Sequence, residues 1–303
     1  MSAAVRVRIP ATVANLGPGF DALGAAIRMH LEIEIEPRRD SIEVMVEGEG
    51  ADTLPQDDTN LVIRAMNTFF DHVGRRPPGY SVRVKNPIPL ASGLGSSAAA
   101  VVGGLFAARA LTGRTVAQSE MVQLATSLEG HPDNVMPALL GGLVVCYRAV
   151  PGDELRYLRL DPSDRLVPII AVPRAGFSTA EARKALPDDV SFADAQFTAA
   201  RAGLLVAALT TGAGADVLAD AMDDRLHEPH RLKLMPETSA VHMEIKDAGL
   251  PVSLAGAGPS LLIVVPRPEA ATRAEQVRRI CRARNEGWRV FVSEWEPLGA
   301  RGE

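Results

Sequence analysis

The chain has 303 residues, 47% of them hydrophobic and 23% charged, which is a globular composition that fits one large or two mid-sized domains. Its net charge of −5, two tryptophans and three tyrosines give no support for nucleic acid or an anionic membrane as partner. No apolar run is long enough to span a bilayer, and residues 1–9 lack the apolar stretch of a signal peptide. Cys146 and Cys281 form no CxxC pair and are typical of a reducing compartment, so we expect a cytoplasmic protein without a Cys/His metal site.

Apolar periodicity in the first half of the chain predicts a mixture of strands and helices. Strands are predicted over residues 5–9, 31–36, 42–47, 80–85 and 141–148. Helices are predicted over residues 60–73, 97–111 and 116–128, and the second of them is expected to be buried on most sides. We also expect the strands over residues 31–36 and 42–47 to pair with each other.

A stretch rich in Pro, Asp and Arg over residues 151–164 predicts a domain boundary, with one domain over residues 1–160 and a second over residues 161–303. Beyond it, strands are predicted over residues 166–172, 251–255, 260–265 and 289–294. Helices are predicted over residues 179–186, 193–211, 215–222, 239–248 and 269–283. This order indicates an α+β layer with helices on one face.

A glycine-rich segment over residues 89–100 has the pattern of a phosphate-binding loop. Gly93 and Gly95 let the backbone turn tightly, and Ser96 and Ser97 can cap the alanine-rich helix that follows. The N-terminus of such a helix offers N–H groups and a positive dipole end, which suits phosphate. The segment lacks the lysine of a Walker A loop and the third glycine of a dinucleotide fingerprint, and alone it is more often a tight turn. A phosphate site therefore depends on what accompanies it.

Three further segments accompany this loop. Residues 15–24 crowd glycines around Asn15 and Asp21, which indicates either a loop of Asx turns or a polar rim for a small hydroxylated substrate. Glu129 precedes Gly-His-Pro-Asp-Asn, where a carboxylate beside a phosphate loop would hold Mg²⁺, although a helix stop explains the same residues. Residues 253–260 predict a turn with positive φ angles.

Taken in order and spacing, these segments resemble the GHMP small-molecule kinases, and within that superfamily the homoserine kinases. Two more stretches carry the resemblance, STAEAR at residues 178–183 and HEPHR at residues 227–231. The resemblance implies an α+β, two-domain GHMP kinase fold, with an N-terminal half like the second domain of ribosomal protein S5 and a ferredoxin-like C-terminal half. It implies phosphorylation of the L-homoserine hydroxyl by ATP with Mg²⁺, on the way to threonine, and a homodimer as a family-level expectation.

The resemblance also implies site residues. ATP would lie against Pro89, Leu90, Ala91, Ser92, Gly93, Leu94, Gly95, Ser96, Ser97, Ala98 and Ala99. Ser97 and Glu129 would hold Mg²⁺, and Asp21 would either orient the substrate hydroxyl or take its proton. The substrate-binding set would be Asn15, Asp21, His131, Asn134, Thr179, Arg183 and Arg231. Its two arginines would clasp a carboxylate, because a guanidinium fork matches a carboxylate bidentately.

Two alternatives stay open on the sequence. The chain could be another GHMP kinase that acts on a mevalonate-type or sugar substrate, but the arginine pair favours an amino acid. It could also be a non-catalytic relative that uses the fold for binding. The presence of Asp21, Ser97 and Glu129 together favours an enzyme.

Overall fold

The computed structural model describes residues 5–150 and 152–302. Three parts of the chain lie outside the described residues. They are residues 1–4, where no signal peptide is expected, Pro151 at the start of the predicted boundary stretch, and residue 303. The strands are β1 Val5–Ala14, β2 Leu23–Arg38, β3 Ile42–Gly48, β4 Gly79–Asn86, β5 Leu143–Tyr147, β6 Arg156–Leu160, β7 Leu166–Val172, β8 Val252–Leu254, β9 Leu261–Pro266, β10 Arg289–Val292 and β11 Arg301–Gly302. The helices are α1 Leu61–Val73, α2 Ser96–Thr112, α3 Gln118–Glu129, α4 Pro132–Leu140, α5 Thr179–Lys184, α6 Phe192–Thr211, α7 Ala215–Ala221, α8 Glu228–Leu232, α9 Pro236–Asp247 and α10 Ala270–Arg284.

The first sheet runs in the order β11–β1–β2–β4–β3, with β5 paired to β2 and β6 paired to β5. The predicted pairing of residues 31–36 with 42–47 is wrong, because β4 lies between β2 and β3. β3 and β4 are parallel, and parallel neighbours need a crossover rather than a hairpin. The segment containing α1 provides that crossover, so that β4 lies between β2 and β3.

The second sheet runs β10–β7–β9–β8 and is covered by helices on both faces. Along β7, Val167 and Ile169 pack in one core with residues of α9 and α10, while Leu166 and Ile170 pack in another with residues of α6 and α7. The expectation of helices on one face is therefore wrong. A strand buried along its whole length is a continuous apolar run, and the LVPIIAV sequence of β7 has that form.

Helix α2 lies at the centre of the first half, and its small residues let it approach its neighbours closely. A Cβ on Gly104 would stand 2.4 Å from the carbonyl oxygen of Val62 in α1, and one on Gly103 would stand 2.6 Å from Ile33 Cδ1 in β2. The predicted helices over residues 60–73 and 97–111 are thus confirmed as α1 and α2. Their packing fixes the N-terminus of α2 relative to the sheet.

The C-terminal residues return to the first sheet. Arg301–Gly302 pair with β1, a single bridge joins Ile27 to Trp295, and His30 Nε2 lies 2.8 Å from Glu296 Oε2. The domain bounds 1–160 and 161–303 stay a prediction. Within residues 5–150 and 152–302, no helix combines the length and the apolar character required to cross a bilayer.

Candidate active site

A cavity of about 450 Å³ opens where the two sheets and their loops meet. Its apolar end is lined by side chains from β3, α1, β4 and the loops around them, namely Val46, Leu54, Leu61, Val84 and Leu90. Its polar end is lined by Asp21, Glu129, His131, Asp133, Arg183 and Arg231. The glycine loop of residues 89–97 borders both groups, since Leu90 belongs to the apolar lining and Ser97 bonds to Glu129, so one cavity joins an apolar end to a polar end.

The glycine loop has the conformation that its sequence requires. Gly93 and Gly95 have φ angles of 82° and 68°, in the left-handed region that favours glycine. A Cβ on Gly93 would stand 1.9 Å from the carbonyl oxygen of Ala255. The loop is therefore packed directly against the turn of residues 253–260.

The expectation that Ser96 or Ser97 caps helix α2 is wrong. The N-cap residue is Gly95, so the helix starts without a side-chain cap, and its first N–H groups and dipole can act on a ligand in the cavity. Ser96 Oγ accepts a 3.4 Å hydrogen bond from Asn86 Nδ2. Ser92 is turned inward, where its hydroxyl donates to the carbonyl of Pro89 at 2.7 Å.

Ser97 and Glu129 lie side by side at the N-terminus of α2. The Ser97 hydroxyl donates to Glu129 Oε1 at 2.5 Å, and Glu129 is the last residue of α3. Burial, and to a smaller extent the charge of Asp133, raises the pKa of Glu129, although the hydrogen bond from Ser97 and the charge of His131 act in the opposite direction. Among the described residues, no three or more His, Cys, Asp or Glu side chains form a metal-binding cluster. A hydroxyl and a carboxylate beside a phosphate loop fit Mg²⁺, because this ion takes most of its ligands from phosphate and water.

Asp21 and Arg183 form a bidentate ion pair in the polar end. Arg183 Nη1 and Nη2 donate to the two oxygens of Asp21 at 2.9 and 2.8 Å. This hydrogen bonding raises the pKa of the Arg183 guanidinium. Asp21 comes from the loop between β1 and β2 and Arg183 from α5, so the pair joins segments 162 residues apart.

Asn15 ties two loops of the site together through both ends of its amide. Its Nδ2 donates to the carbonyl of Gly256 at 2.7 Å, and its Oδ1 accepts from the backbone N–H of Asp21 at 3.0 Å. The turn at residues 253–260 has positive φ at Gly256 and Gly258, as expected. Asn15 thus fixes the backbone of the loop that carries Asp21.

Arg231 is 1% exposed, although it lines the cavity. Its guanidinium donates to the carbonyl oxygens of Ala182 and Gly256 at 3.4 and 3.3 Å, and its Nη1 lies 3.2 Å from His227 Nδ1. Burial lowers the pKa of this arginine, and the neighbouring Arg183 lowers it further. A buried guanidinium that lines a polar pocket suits an anionic ligand, whose negative charge would pair with it.

His227 received no role in the sequence analysis, although it stands in the HEPHR stretch. The side chain is fully buried, its Nε2 lies 2.8 Å from the carbonyl oxygen of Gly17, and its ring lies 5.2 Å from that of Phe20. Since Arg231 can only donate to Nδ1, the proton of the neutral ring is on Nε2 and is donated to Gly17. His227 therefore links Arg231 to the loop that carries Asp21.

The junction of α3 and α4 brings a third group of side chains to the cavity. His131 Nδ1 lies 2.7 Å from Asp133 Oδ1, and this hydrogen bond is the main cause of a raised pKa of His131. Asn134 Oδ1 accepts from the Thr12 hydroxyl at 2.7 Å. Asp133 is buried and was not assigned to the site in the sequence analysis.

All the residues that the sequence analysis assigned to the acceptor and the metal line this one cavity, including Thr179 at the start of α5. The apolar end was missed. Its residues are dispersed over β3, α1 and β4 and look like ordinary core positions; the one available signal was the alternation in β3, which places Val44 and Val46 on the same face.

Comparisons with known proteins point to one family. The family model described as GHMP kinases N terminal domain matches residues 60–142, and the one described as GHMP kinases C terminal matches residues 203–283. A homoserine kinase of Streptomyces avermitilis is 39% identical over 99% of this chain and 95% of the relative, and one of Moorella thermoacetica is 44% identical over 84% and 86%. The crystal structure of homoserine kinase from Cytophaga hutchinsonii superimposes with a TM-score of 0.87 at 29% identity, covering 100% of this chain and 98% of that one.

Proposed function

The chain belongs to the GHMP kinase family, among its homoserine kinases, and on this premise we propose that it transfers the γ-phosphoryl group of ATP to the hydroxyl of L-homoserine. The product is O-phospho-L-homoserine, an intermediate on the way to threonine. The observation that carries the proposal is the pair of arginines in the polar end, beside the phosphate loop. Two guanidiniums suit the carboxylate of an amino-acid acceptor.

ATP is the phosphoryl donor in this family, and the cavity has suitable surfaces for each part of it. The apolar end, with Val46, Leu54 and Val84, fits the purine ring. The backbone of residues 93–97 and the N-terminus of α2 fit the β- and γ-phosphates, because N–H groups and the helix dipole favour anions. The γ-phosphate would then lie at the junction of the apolar and polar ends.

Ser97 and Glu129 are the residues that would hold Mg²⁺. Their oxygens lie 2.5 Å apart beside the phosphate loop. The ion, when bound with the nucleotide, neutralises charge on the phosphates. Glu129 must be ionised for this task; burial raises the pKa of its carboxyl, and a bound cation would lower it.

The polar end positions the acceptor. Arg231 is fixed by three hydrogen-bond partners, and its guanidinium would bind the substrate carboxylate. Arg183 adds a second guanidinium to the same end of the cavity. His131, Asn134 and Thr179 line the same pocket, and Asn15 keeps the Asp21 loop in place. Holding the hydroxyl in line with the phosphorus supplies most of the rate enhancement, since phosphoryl transfer depends chiefly on positioning and charge.

Asp21 orients the acceptor hydroxyl or accepts its proton. A general base contributes roughly 10²–10⁴-fold. Replacing Asp21 with asparagine separates the two roles, because the amide can orient the hydroxyl but cannot take its proton. A near-normal kcat in Asp21→Asn excludes the base role, whereas a loss of about 100-fold or more supports it.

We also infer a cytoplasmic location for the chain. The two cysteines are buried, and burial raises the pKa of each thiol to about 12, which is compatible with the reducing cytoplasm that we infer. The homodimer remains a family-level expectation.

An acceptor panel tests the proposal. ATP consumption is measured with L-homoserine, mevalonate and galactose at fixed ATP, with and without Mg²⁺. We expect kcat/KM for L-homoserine to exceed the others by at least about 100-fold, the discrimination available when paired polar groups are satisfied by one substrate only. Preference for mevalonate or a sugar would replace the proposal with the alternative kinase, and no turnover by folded protein would favour a non-catalytic relative.

A further inference from the structure

The fork between Asp21 and Arg183 joins two residues that the proposed reaction needs for other partners. Both carboxylate oxygens of Asp21 accept from both terminal nitrogens of Arg183, at 2.8 and 2.9 Å. This is the bidentate geometry that a substrate carboxylate would adopt on the same guanidinium. Arg183 cannot present both nitrogens to a substrate while it holds Asp21 in this way.

The pair can open by rotation of side chains alone. The backbone of Asp21 is held by its N–H bond to Asn15, and the segment before α5 is anchored by the bond from Phe177 N–H to the carbonyl of Ala91 at 2.9 Å. The side chains of Asp21 and Arg183 are 35% and 39% exposed. Because both side chains remain partly exposed to solvent, a second carboxylate in the pocket can compete with Asp21 for the guanidinium.

The two arginines differ in how they are held. Arg231 is buried and donates to backbone carbonyls and to His227, with no bond to Asp21 among the described hydrogen bonds. Arg183 reaches the pocket from α5 and is held there by Asp21. The guanidiniums also repel each other, and Asp21 offsets that repulsion. An incoming carboxylate would offset it equally well and would leave Asp21 without its partner.

We propose that Asp21 and the acceptor's α-carboxylate compete for the guanidinium of Arg183, so that only a carboxylate-bearing acceptor releases Asp21 for the reacting end of the substrate. The proposal rests on the function proposed above and assigns acceptor specificity to an exchange of ion pairs. An alcohol without a carboxylate binds to a pocket in which Asp21 stays engaged. Arg183 therefore both recognises the correct acceptor and restrains Asp21 when another is bound.

The test compares L-homoserine with 3-aminopropan-1-ol, which is the same molecule without its carboxyl group. In Arg183→Ala we expect kcat/KM for L-homoserine to fall by roughly 10- to 100-fold, because a charged hydrogen-bond partner is lost. We expect kcat/KM for 3-aminopropan-1-ol to rise by about 2- to 5-fold, because the variant releases Asp21 from an ion pair that stabilises its engaged position by about that factor. A simple carboxylate clamp leaves the second value unchanged, and that result overturns the proposal.

Lys184→Ala is the matched control, because Lys184 is an exposed cation on the same helix. It should leave both kcat/KM values within about twofold, since surface substitutions away from the site have small effects. Thermal unfolding checks that each variant is folded.

Crystal structures of the wild-type protein grown with and without L-homoserine provide a second readout, even where turnover of 3-aminopropan-1-ol is too slow to measure. We expect the fork without the amino acid, and Arg183 on the substrate carboxylate with it. A fork that persists in the complex of an enzyme that phosphorylates L-homoserine overturns this inference alone. Absence of L-homoserine phosphorylation by the wild type overturns the proposed function as well.

Discussion

The glycine loop and the polar end of the cavity are built in different ways. The loop consists of consecutive residues, and its shape comes from backbone conformation at Gly93 and Gly95 and from the start of α2. The polar end consists of side chains from separated segments that hold one another, as Asp21 holds Arg183 and His227 holds Arg231. A backbone site is fixed before any ligand arrives, whereas a site of paired side chains can exchange partners.

The largest effect should come from adding one methyl group to the loop. In Gly93→Ala the Cβ would meet the Ala255 carbonyl oxygen at 1.9 Å, at a φ of 82°. We expect a loss of about 2–4 kcal/mol in the free energy of unfolding and loss of ATP binding, measured by urea denaturation and by titration calorimetry.

Gly113→Ala is the control for backbone strain alone. Gly113 follows the other end of α2 with a φ of 63°, and among the described residues nothing lies within 4 Å of an added Cβ. It should lose only about 1 kcal/mol and keep ATP binding. Equal losses in the two variants would show that the loop is not defined by its close backbone contacts.

Removal of the carboxylate that we propose to hold Mg²⁺ tests the junction between the glycine loop and the polar end. In Glu129→Gln we expect the Mg²⁺ concentration for half-maximal activity to rise by about 10- to 100-fold, because a neutral amide is a poorer ligand. The measurement is an Mg²⁺ titration of kcat at saturating ATP and L-homoserine. An unchanged Mg²⁺ dependence would remove Glu129 from the metal site.

His227 should position Arg231 through its Nδ1 atom. His227→Gln can keep the bond from the Nε2 position to the Gly17 carbonyl but loses the acceptor for Arg231. We expect the KM for L-homoserine to rise by about 10-fold, with kcat and the KM for ATP nearly unchanged.

His227→Asn is the matched variant, because its side-chain oxygen can replace Nδ1. It should restore much of the KM for L-homoserine even if both variants lose stability. A purely structural role for His227 would instead lower kcat and both affinities in parallel.

The smallest effect concerns the His131–Asp133 pair and the pH dependence of stability. The hydrogen bond between His131 and Asp133 raises the pKa of His131 above its ordinary value of 6.5. The folded state then binds the proton more tightly than the unfolded state, so the stabilisation is complete below pH 6.5 and is lost as the pH rises through the raised pKa.

Urea unfolding at pH 6 and pH 9 measures this contribution. We expect the wild type to lose up to about 1 kcal/mol more than His131→Gln between these values. Identical pH dependence in the two proteins would mean that the histidine is not held in its charged form.

The contrast between the glycine loop and the polar end also explains how much of the fold and of the site could be predicted from the sequence. Helix α2, its preceding loop and strand β7 follow from local patterns of glycine, alanine and apolar residues, and the structure has all three. Helix α4 was missed because Pro132 and Pro137 resemble helix breakers, although Pro132 stands at the tolerated first position. Strand β6 was missed because it lies in the polar stretch assigned to a domain boundary.

Partners in the polar end could not be predicted, because they depend on tertiary structure. Asp21 and Arg183 were both assigned to the substrate through the family resemblance, but nothing in their local sequence indicates that they contact each other. His227 lacks a local signal for the same reason. Parallel pairing of β3 with β4 was also missed, since sheet order is decided by long-range packing rather than by the strands themselves.

The most direct test of the proposed function is identification of the product. The protein is incubated with ATP, Mg²⁺ and L-homoserine, and the reaction is followed by ³¹P nuclear magnetic resonance. We expect a phosphomonoester signal that matches O-phospho-L-homoserine and grows in step with ADP. Folded protein that binds ATP but yields no such product from L-homoserine would contradict the assignment.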